Sequence, residues 1–222
     1  MKLPVAHVVG ALGVLLCAWG TWQGLVVAPP DQFMGDVMRI LYVHVPTAWN
    51  GLLCLTYAFV FAIVSLSTRK PHWDWLMEAA VEVGLVQGFL LTIQGSIWAR
   101  PTWGVWWDWD PRLTSVAVLV VTFSGIVALR NFVDDAEQRS RWSAVATILA
   151  YVNVPIVYMS VKWWRTLHQM QSSAQTVDKS MLSPLMLNFF GLLLISVWLI
   201  RWRYEVARVT HQHELAPPPE PA

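Results

Sequence analysis

Charged residues are scarce in this sequence: Asp, Glu, Lys and Arg together make up 13% of the 222 residues, against about 25% in typical soluble domains. Hydrophobic residues make up 56%, and the mean hydropathy is +0.47. A soluble domain with this composition would expose far too much apolar surface. The sequence therefore excludes an ordinary soluble domain and predicts a protein embedded in a lipid bilayer.

Cysteine is also rare. The two cysteines, Cys17 and Cys54, lie in different apolar stretches and form no CxxC pair, which excludes a disulfide framework and a thiol redox pair. We expect both to be buried as small hydrophobic side chains. The sequence also lacks a Walker A motif and a CxxCH motif, so it is that of neither an ATPase nor a c-type cytochrome.

Six apolar stretches are long enough to cross a bilayer, which takes about 17–25 residues per helix. They are Val5–Ala28, Thr47–Ser67, Trp75–Trp98, Leu113–Leu129, Trp142–Val161 and Leu182–Ile200. The first is too long for a signal peptide and has no small-residue cleavage site, so we interpret it as a span. The predicted fold is an all-α integral membrane protein, with six transmembrane helices in residues 1–205 and a proline-rich, disordered tail in residues 206–222.

Basic residues are divided unequally between the two sides of this six-helix arrangement. Nine fall on the side that holds both termini and six on the other. Because cytoplasmic loops are enriched in Lys and Arg, this distribution predicts that both termini and the tail are cytoplasmic. Glu78 and Glu82, one helical turn apart in the third span, predict a contact with a membrane partner.

The first, third and fifth loops must share the opposite, outer side, whatever the absolute orientation. These longer loops are Pro29–Pro46, Ala99–Arg112 and Lys162–Met181. Proline is favoured at the first position of a helix, and Pro46, Pro111 and Pro184 stand where the second, fourth and sixth spans begin. Asp110 and Ser183 precede two of these prolines and are suitable N-caps.

The first and fifth loops each carry a histidine. Residues 34–42 have the pattern of a short amphipathic helix at the membrane surface, which would bring His44 to the mouth of the bundle. Residues 162–168 read as a continuation of the fifth helix, with His168 about 7 Å beyond Trp163 at 1.5 Å per residue. One histidine from each loop is therefore expected to flank the third loop.

That third loop, residues 99–112, is dense in tryptophan and is called the tryptophan loop below. Between residues 103 and 112 it contains Trp103, Trp106, Trp107, Trp109, Asp108, Asp110 and Arg112. Four tryptophans in so short a connection are too many for interface anchoring alone. Flat aromatic faces with a charged rim suit a large planar ligand that has its own charged edge.

Haem has these properties. Two histidines can occupy both axial positions of haem iron, and arginines bind carboxylates such as the haem propionates through paired hydrogen bonds. The sequence thus predicts a bis-histidine site for haem b with His44 and His168 as ligands. Four arginines on the same outer side could meet the propionates: Arg39, Arg100, Arg112 and Arg165. Asp110 is equally compatible with a helix cap, and Arg39 with a contact to lipid headgroups.

The tryptophan loop also carries a family resemblance. Its sequence Trp103-Gly104-Val105-Trp106-Trp107-Asp108-Trp109-Asp110 is similar to the WWD signature of haem-handling membrane proteins. With the continuation Arg112-Leu113-Thr114-Ser115 and the segment Tyr42-Val43-His44-Val45-Pro46-Thr47-Ala48-Trp49, the chain resembles the CcmC family of haem exporter C proteins over nearly its whole length.

The resemblance implies a haem-transfer subunit of the bacterial inner membrane that takes part in cytochrome c maturation and is not an enzyme. Family members hold haem at the periplasmic face and present it to the haem chaperone CcmE. The ABC transporter subunits CcmA and CcmB then drive release of the loaded chaperone, and the small membrane protein CcmD is associated.

By the same resemblance, His44 and His168 are axial ligands. The haem platform and chaperone-docking surface comprises Trp103, Gly104, Trp106, Trp107, Asp108, Trp109 and Asp110. Arg39 and Arg112 correspond to positions near the propionates or the chaperone.

Two alternative functions remain open from the sequence. One is a haem lyase of the cytochrome c synthetase type from the same superfamily, against which the short chain argues. The other is an electron-transferring b-type membrane cytochrome, which would carry its histidines within the spans rather than in loops.

Overall fold

The computed structural model describes residues 3–170 and 177–212, which fold into seven α-helices. The helices are α1 (Leu3–Trp22), α2 (Leu41–Thr68), α3 (Pro71–Trp103), α4 (Pro111–Phe132), α5 (Ala136–Tyr151), α6 (Asn153–Trp163) and α7 (Lys179–Gln212). A π-helical turn, Gln23–Val27, extends α1, and a 3₁₀ turn, Asp36–Ile40, leads into α2. Because α5 and α6 together form one span, these residues contain six helical spans, as the sequence predicts.

The apolar core lies among α2, α3, α4, α5 and α6. Leu55, Met77 and Phe123 are among its fully buried side chains, and alanines such as Ala58 and Ala80 allow the helices to approach closely. Apolar side chains on the outer faces of the spans are exposed because they meet lipid rather than protein. This core holds α2, α3 and α4 at fixed positions and so fixes the elements that carry the site.

Helix α1 is attached mainly through α7, and glycines make this contact possible. A Cβ atom on Gly13 would lie 2.7 Å from the backbone oxygen of Gly191, and one on Gly191 would lie 2.7 Å from Sγ of Cys17. Small residues that let backbones approach are a common basis of helix pairing in membranes. The α1–α7 pair then packs on the rest of the bundle through α7.

Charged side chains pair inside the bundle at the end where α3 begins. Arg130 on α4 donates two hydrogen bonds of 2.9 Å to Asp74 and one of 2.8 Å to Glu78, both on α3. Glu82 accepts a hydrogen bond of 2.7 Å from Arg203 on α7. Both carboxylates therefore have charged partners within the chain, and their contact with a membrane partner stays a prediction.

The helix starts differ in part from the prediction. Pro111 is the first residue of α4 and follows the N-cap Asp110, as expected. Pro46 and Pro184, however, lie inside α2 and α7, and Ser183 is a residue of α7 rather than its cap. A proline in the second turn removes only one backbone hydrogen bond and is therefore tolerated there. Both helices accordingly begin several residues before the apolar stretch that the sequence predicts as the span.

The helix ends also differ. Helix α6 stops at Trp163, and Trp164 is extended, so His168 does not lie on a continued helix. Helix α3 runs to Trp103, which leaves only residues 104–110 of the tryptophan loop outside helices. Helix α7 runs to Gln212, so disorder from residue 206 is wrong for residues 206–212. Residues 213–222 of the predicted tail lie outside the described residues.

Candidate functional site

The outer ends of α2, α3, α4 and α6, together with the segment after α6, enclose a cavity. It contains about 1060 Å³ of space between atoms, including its open mouth. Its lining includes apolar side chains such as Leu52, Leu91 and Val116. The lining also includes polar and aromatic side chains, among them His44, Trp98, Trp103, Trp107, Arg112 and His168. The cavity therefore combines apolar walls with imidazole, indole and guanidinium groups.

The two predicted histidines face each other across this cavity. Their ring centroids are 6.5 Å apart, and the ring planes differ by 30°. Two metal–nitrogen bonds of about 2.1 Å, with each nitrogen about 1.1 Å from its ring centre, span roughly 6.4 Å. The observed centroid separation is thus close to the distance expected when one metal ion lies between two imidazoles.

The hydrogen bonding of the histidines also fits a metal ligand. Nδ1 of His168 lies 2.8 Å from the carbonyl oxygen of Gln169 and donates to it in the tautomer with the proton on Nδ1, which leaves Nε2 with its lone pair free. Nδ1 of His44 is shielded from solvent and has no hydrogen-bond partner among the described residues. Buried polar atoms of this kind call for a partner, so this nitrogen is open to a ligand bound in the cavity.

The surroundings of His168 favour its neutral form. Burial lowers the pKa of His168, and the positive charge of Arg112 lowers it further. The hydrogen bond to Gln169 and the charge of Asp110 oppose this shift but do not cancel it. Neutral imidazole is the form that ligates a metal, so the electrostatic environment suits a ligand role.

Two of the four loop tryptophans line the cavity, namely Trp103 and Trp107. They are joined by Trp98, which the sequence analysis treated only as the end of the third span. The Trp98 ring lies 5.3 Å from that of Trp103 and 6.3 Å from that of His168. The indole nitrogens of Trp98 and Trp107 are buried without acceptors among the described residues. In the sequence, only the position of Trp98, five residues before Trp103, indicated that it could also line the cavity.

The other loop tryptophans face outward. Trp106 is 60% exposed and Trp109 is 74% exposed, and Asp108 between them is exposed as well. Gly104 has a φ of 78°, a left-handed conformation that favours glycine, and there the chain turns out of α3. The tryptophan loop thus has an inner half that lines the cavity and an outer half available to a partner.

Asp110 is buried, and its carboxylate joins two elements. Oδ1 accepts a hydrogen bond of 2.8 Å from the backbone nitrogen of Leu113, which confirms the predicted helix cap. Oδ2 accepts one of 2.9 Å from the backbone nitrogen of Leu167 and another from the hydroxyl of Thr166. No local pattern in the sequence indicates this second role, because it depends on how the chain turns after α6.

The two predicted arginines are placed differently. Arg112 lines the cavity, and its Nη1 donates a hydrogen bond of 2.6 Å to the carbonyl oxygen of Val157. Arg39 is not part of the cavity lining. Its guanidinium donates to Gly24 and Ala28 carbonyls at 2.5 and 3.0 Å and to Asp36 at 2.7 Å, so it caps the end of the first span. Only Arg112 is positioned to meet an anionic ligand in the cavity.

These features define a class: a multi-pass membrane protein with a histidine- and tryptophan-lined site at one face of its bundle. The sequence profile of heme exporter protein C matches residues 2–216. The chain is 37% identical to heme exporter protein C of Bradyrhizobium diazoefficiens over 204 residues, covering 89% of this chain and 77% of the relative. It is also 37% identical to that of Escherichia coli K12 over 203 residues, covering 90% and 80%.

A more distant relative is a putative cytochrome c biosynthesis ccmC-like mitochondrial protein of Marchantia polymorpha, 33% identical over 177 residues, with 78% of this chain and 75% of the relative covered. The chain belongs to the heme exporter protein C family. Together with the six spans, the bacterial relatives make it a multi-pass protein of the bacterial inner membrane, as the sequence predicts.

Proposed function

We propose that this protein binds haem b between His44 and His168 at the periplasmic face of the inner membrane and hands it to the haem chaperone CcmE during cytochrome c maturation. The observation that carries the proposal is the pair of imidazoles, 6.5 Å apart, facing each other across a tryptophan-lined cavity. The names of the relatives, heme exporter protein C, support haem as the transported ligand.

Each part of the cavity has a role in this proposal. His44 and His168 would hold the haem iron through their imidazole nitrogens. Trp103 and Trp107 pack against the porphyrin through dispersion and offset stacking. Arg112 lies beside the iron ligands and offers a positive charge to a propionate. Arg39 is left out of this assignment, because its donors are already bound to backbone carbonyls and Asp36.

The outward half of the tryptophan loop serves as the chaperone-docking surface. It consists of Gly104, Trp106, Asp108 and Trp109, three of which present exposed side chains on a short connection between two fixed helices. Exposed tryptophans on a rigid support are typical of protein contacts. Because this surface adjoins the mouth of the cavity, a partner docked there is within reach of the bound haem.

The remaining parts of the proposal concern orientation and assembly. Both termini face the cytoplasm, and the cavity opens to the periplasm, in line with the distribution of basic residues. The protein acts as a transport subunit rather than an enzyme. The ABC transporter subunits CcmA and CcmB release the loaded chaperone, and CcmD is a further membrane partner.

The proposal is tested by following haem transfer. Haem-loaded protein in nanodiscs is mixed with the purified apo-chaperone, and haem is measured in each fraction over time. We expect transfer from the wild type and a rate about tenfold lower from Trp109→Ala, with haem occupancy retained.

The control is Trp163→Ala, which removes an equally large exposed tryptophan that does not line the cavity. It should transfer haem at the wild-type rate. If the loaded wild-type protein transfers no haem to the chaperone, the proposed function is wrong.

A further inference from the structure

The segment that carries His168 is irregular and is held against α4 by Asp110. Helix α6 ends at Trp163, and residues 164–170 have no helical hydrogen-bond ladder. The backbone nitrogen of Leu167 and the hydroxyl of Thr166 both donate to Oδ2 of Asp110. The same hydroxyl accepts a hydrogen bond of 3.0 Å from the backbone nitrogen of His168. A short chain of hydrogen bonds thus runs from Asp110 through Thr166 to His168.

His44 is held in a different way. It lies in the first turn and a half of α2, a helix of 28 residues whose backbone hydrogen bonds and core packing fix its position. Its position does not depend on a single side-chain contact. The two candidate ligands are therefore held differently: His44 is set on a spanning helix, whereas among the described residues the segment of His168 is tied to α4 through the carboxylate of Asp110.

We propose that Asp110 is a positioning residue that holds His168 in place to ligate the iron, so that His168 is the releasable ligand and His44 the fixed one. This inference rests on the proposed function, since it concerns the same haem site. Asp110 suits the role because it directly follows the exposed Trp109 and also caps α4. A partner that moves the outer half of the tryptophan loop would also displace the carboxylate that holds His168.

Two variants separate this role from the capping role of the same carboxylate. Asp110→Asn keeps one oxygen for the Leu113 cap but replaces the other acceptor with an NH₂ group, which cannot accept from Thr166 or Leu167. Thr166→Val leaves Asp110 intact and removes the hydroxyl that links it to the backbone of His168. Each variant breaks the hydrogen-bond chain between Asp110 and His168 at a different atom.

Two matched controls accompany them. Thr166→Ser retains the hydroxyl and should behave as the wild type. Asp135→Asn changes another N-cap carboxylate, which accepts a hydrogen bond of 2.7 Å from Gln138 at the start of α5, far from the cavity. It tests whether loss of a capping charge alone alters the haem.

The experiment records the absorption and electron paramagnetic resonance spectra of the full-length, haem-loaded ferric protein, together with the rate of haem loss to excess apomyoglobin. We expect Asp110→Asn and Thr166→Val to shift from low-spin to high-spin iron, to lose haem about tenfold faster, and to regain the low-spin spectrum when imidazole is added. Both controls should match the wild type.

Wild-type spectra and loss rates in both Asp110→Asn and Thr166→Val would overturn the positioning role and leave the proposed function standing. A high-spin shift that imidazole does not reverse would also overturn it, since the site would then be damaged rather than missing one ligand. If the wild type itself binds no histidine-ligated haem, the proposed function fails, and the positioning role fails with it.

Discussion

Gly95 on α3 lies against His44, and the absence of a side chain there leaves room for the imidazole. A Cβ atom at this position would be 3.3 Å from Cε1 of His44, which is tighter than ordinary van der Waals contact. Both residues line the cavity. The space around the His44 imidazole therefore depends in part on this glycine.

We predict that Gly95→Val weakens haem binding about tenfold, because the added methyl groups push the His44 ring out of place, and overpacking typically costs about 1–3 kcal/mol. The measurement is a haem titration of the purified apoprotein. Gly125→Val is the control, since a Cβ atom on Gly125 of α4 meets no atom within 4 Å. Equal haem affinities of the two variants would contradict the prediction.

The residues of the candidate site were predictable to different degrees. His44, His168, Trp103 and Trp107 lie at the cavity, where residue type and spacing in the sequence had pointed. The contact between Asp110 and Thr166 could not be predicted, because it joins residues 56 positions apart through a turn that no local pattern specifies. The contacts of Arg39 could not be predicted for a similar reason, because its carbonyl acceptors depend on how α1 ends.

At the scale of elements, the bundle is held together at the end opposite the cavity by ion pairs between α3 and α4. The side chains of Arg130, Asp74 and Glu78 are 6%, 9% and 14% exposed. Removing one partner of a buried ion pair leaves an uncompensated buried charge. The effect of this ion-pair network on the free energy of unfolding is therefore seen mainly when one of its partners is removed.

We predict that Arg130→Met lowers the free energy of unfolding by roughly 3–5 kcal/mol, the usual cost of breaking a buried pair. Arg141→Met should cost less than about 1 kcal/mol, because Arg141 pairs with Glu137 in an exposed i, i+4 contact on α5. The measurement is unfolding of each purified variant by sodium dodecyl sulfate. Similar losses in the free energy of unfolding for both variants would contradict the prediction that the buried ion pair matters more than the exposed one.

The elements themselves were largely predictable. Apolar runs of sufficient length identify all six spans, since a bilayer tolerates few other segments of this kind. Their ends were not predictable from hydropathy, because α2 and α7 begin with several residues outside the apolar run and carry Pro46 and Pro184 inside the helix. The end of α6 was likewise missed, because its tryptophans fit a helix and a loop equally well.

At the scale of the whole molecule, the orientation in the membrane decides where the haem is available. We predict that Phe33 and Phe132, which are 94% and 82% exposed, lie on opposite sides of the membrane. Phe33 lies in the first loop, on the side of the cavity, and Phe132 ends α4 on the other side.

Each phenylalanine is changed to cysteine in a Cys17→Ser, Cys54→Ser background, and intact cells are treated with a membrane-impermeant maleimide that reaches the periplasm. The Phe33→Cys protein should be labelled at once and the Phe132→Cys protein only after the inner membrane is permeabilised. The reverse pattern would place the cavity on the cytoplasmic side and exclude transfer to a periplasmic chaperone.

The central claim is that haem iron is bound by His44 and His168, and the most direct test is electron paramagnetic resonance of the haem-loaded ferric protein with each histidine changed to glycine. We predict a low-spin bis-histidine signal in the wild type, its loss in His44→Gly and in His168→Gly, and its return in each variant when imidazole is added. A wild-type signal that survives in either variant would show that the histidine concerned is not a ligand and would contradict the account.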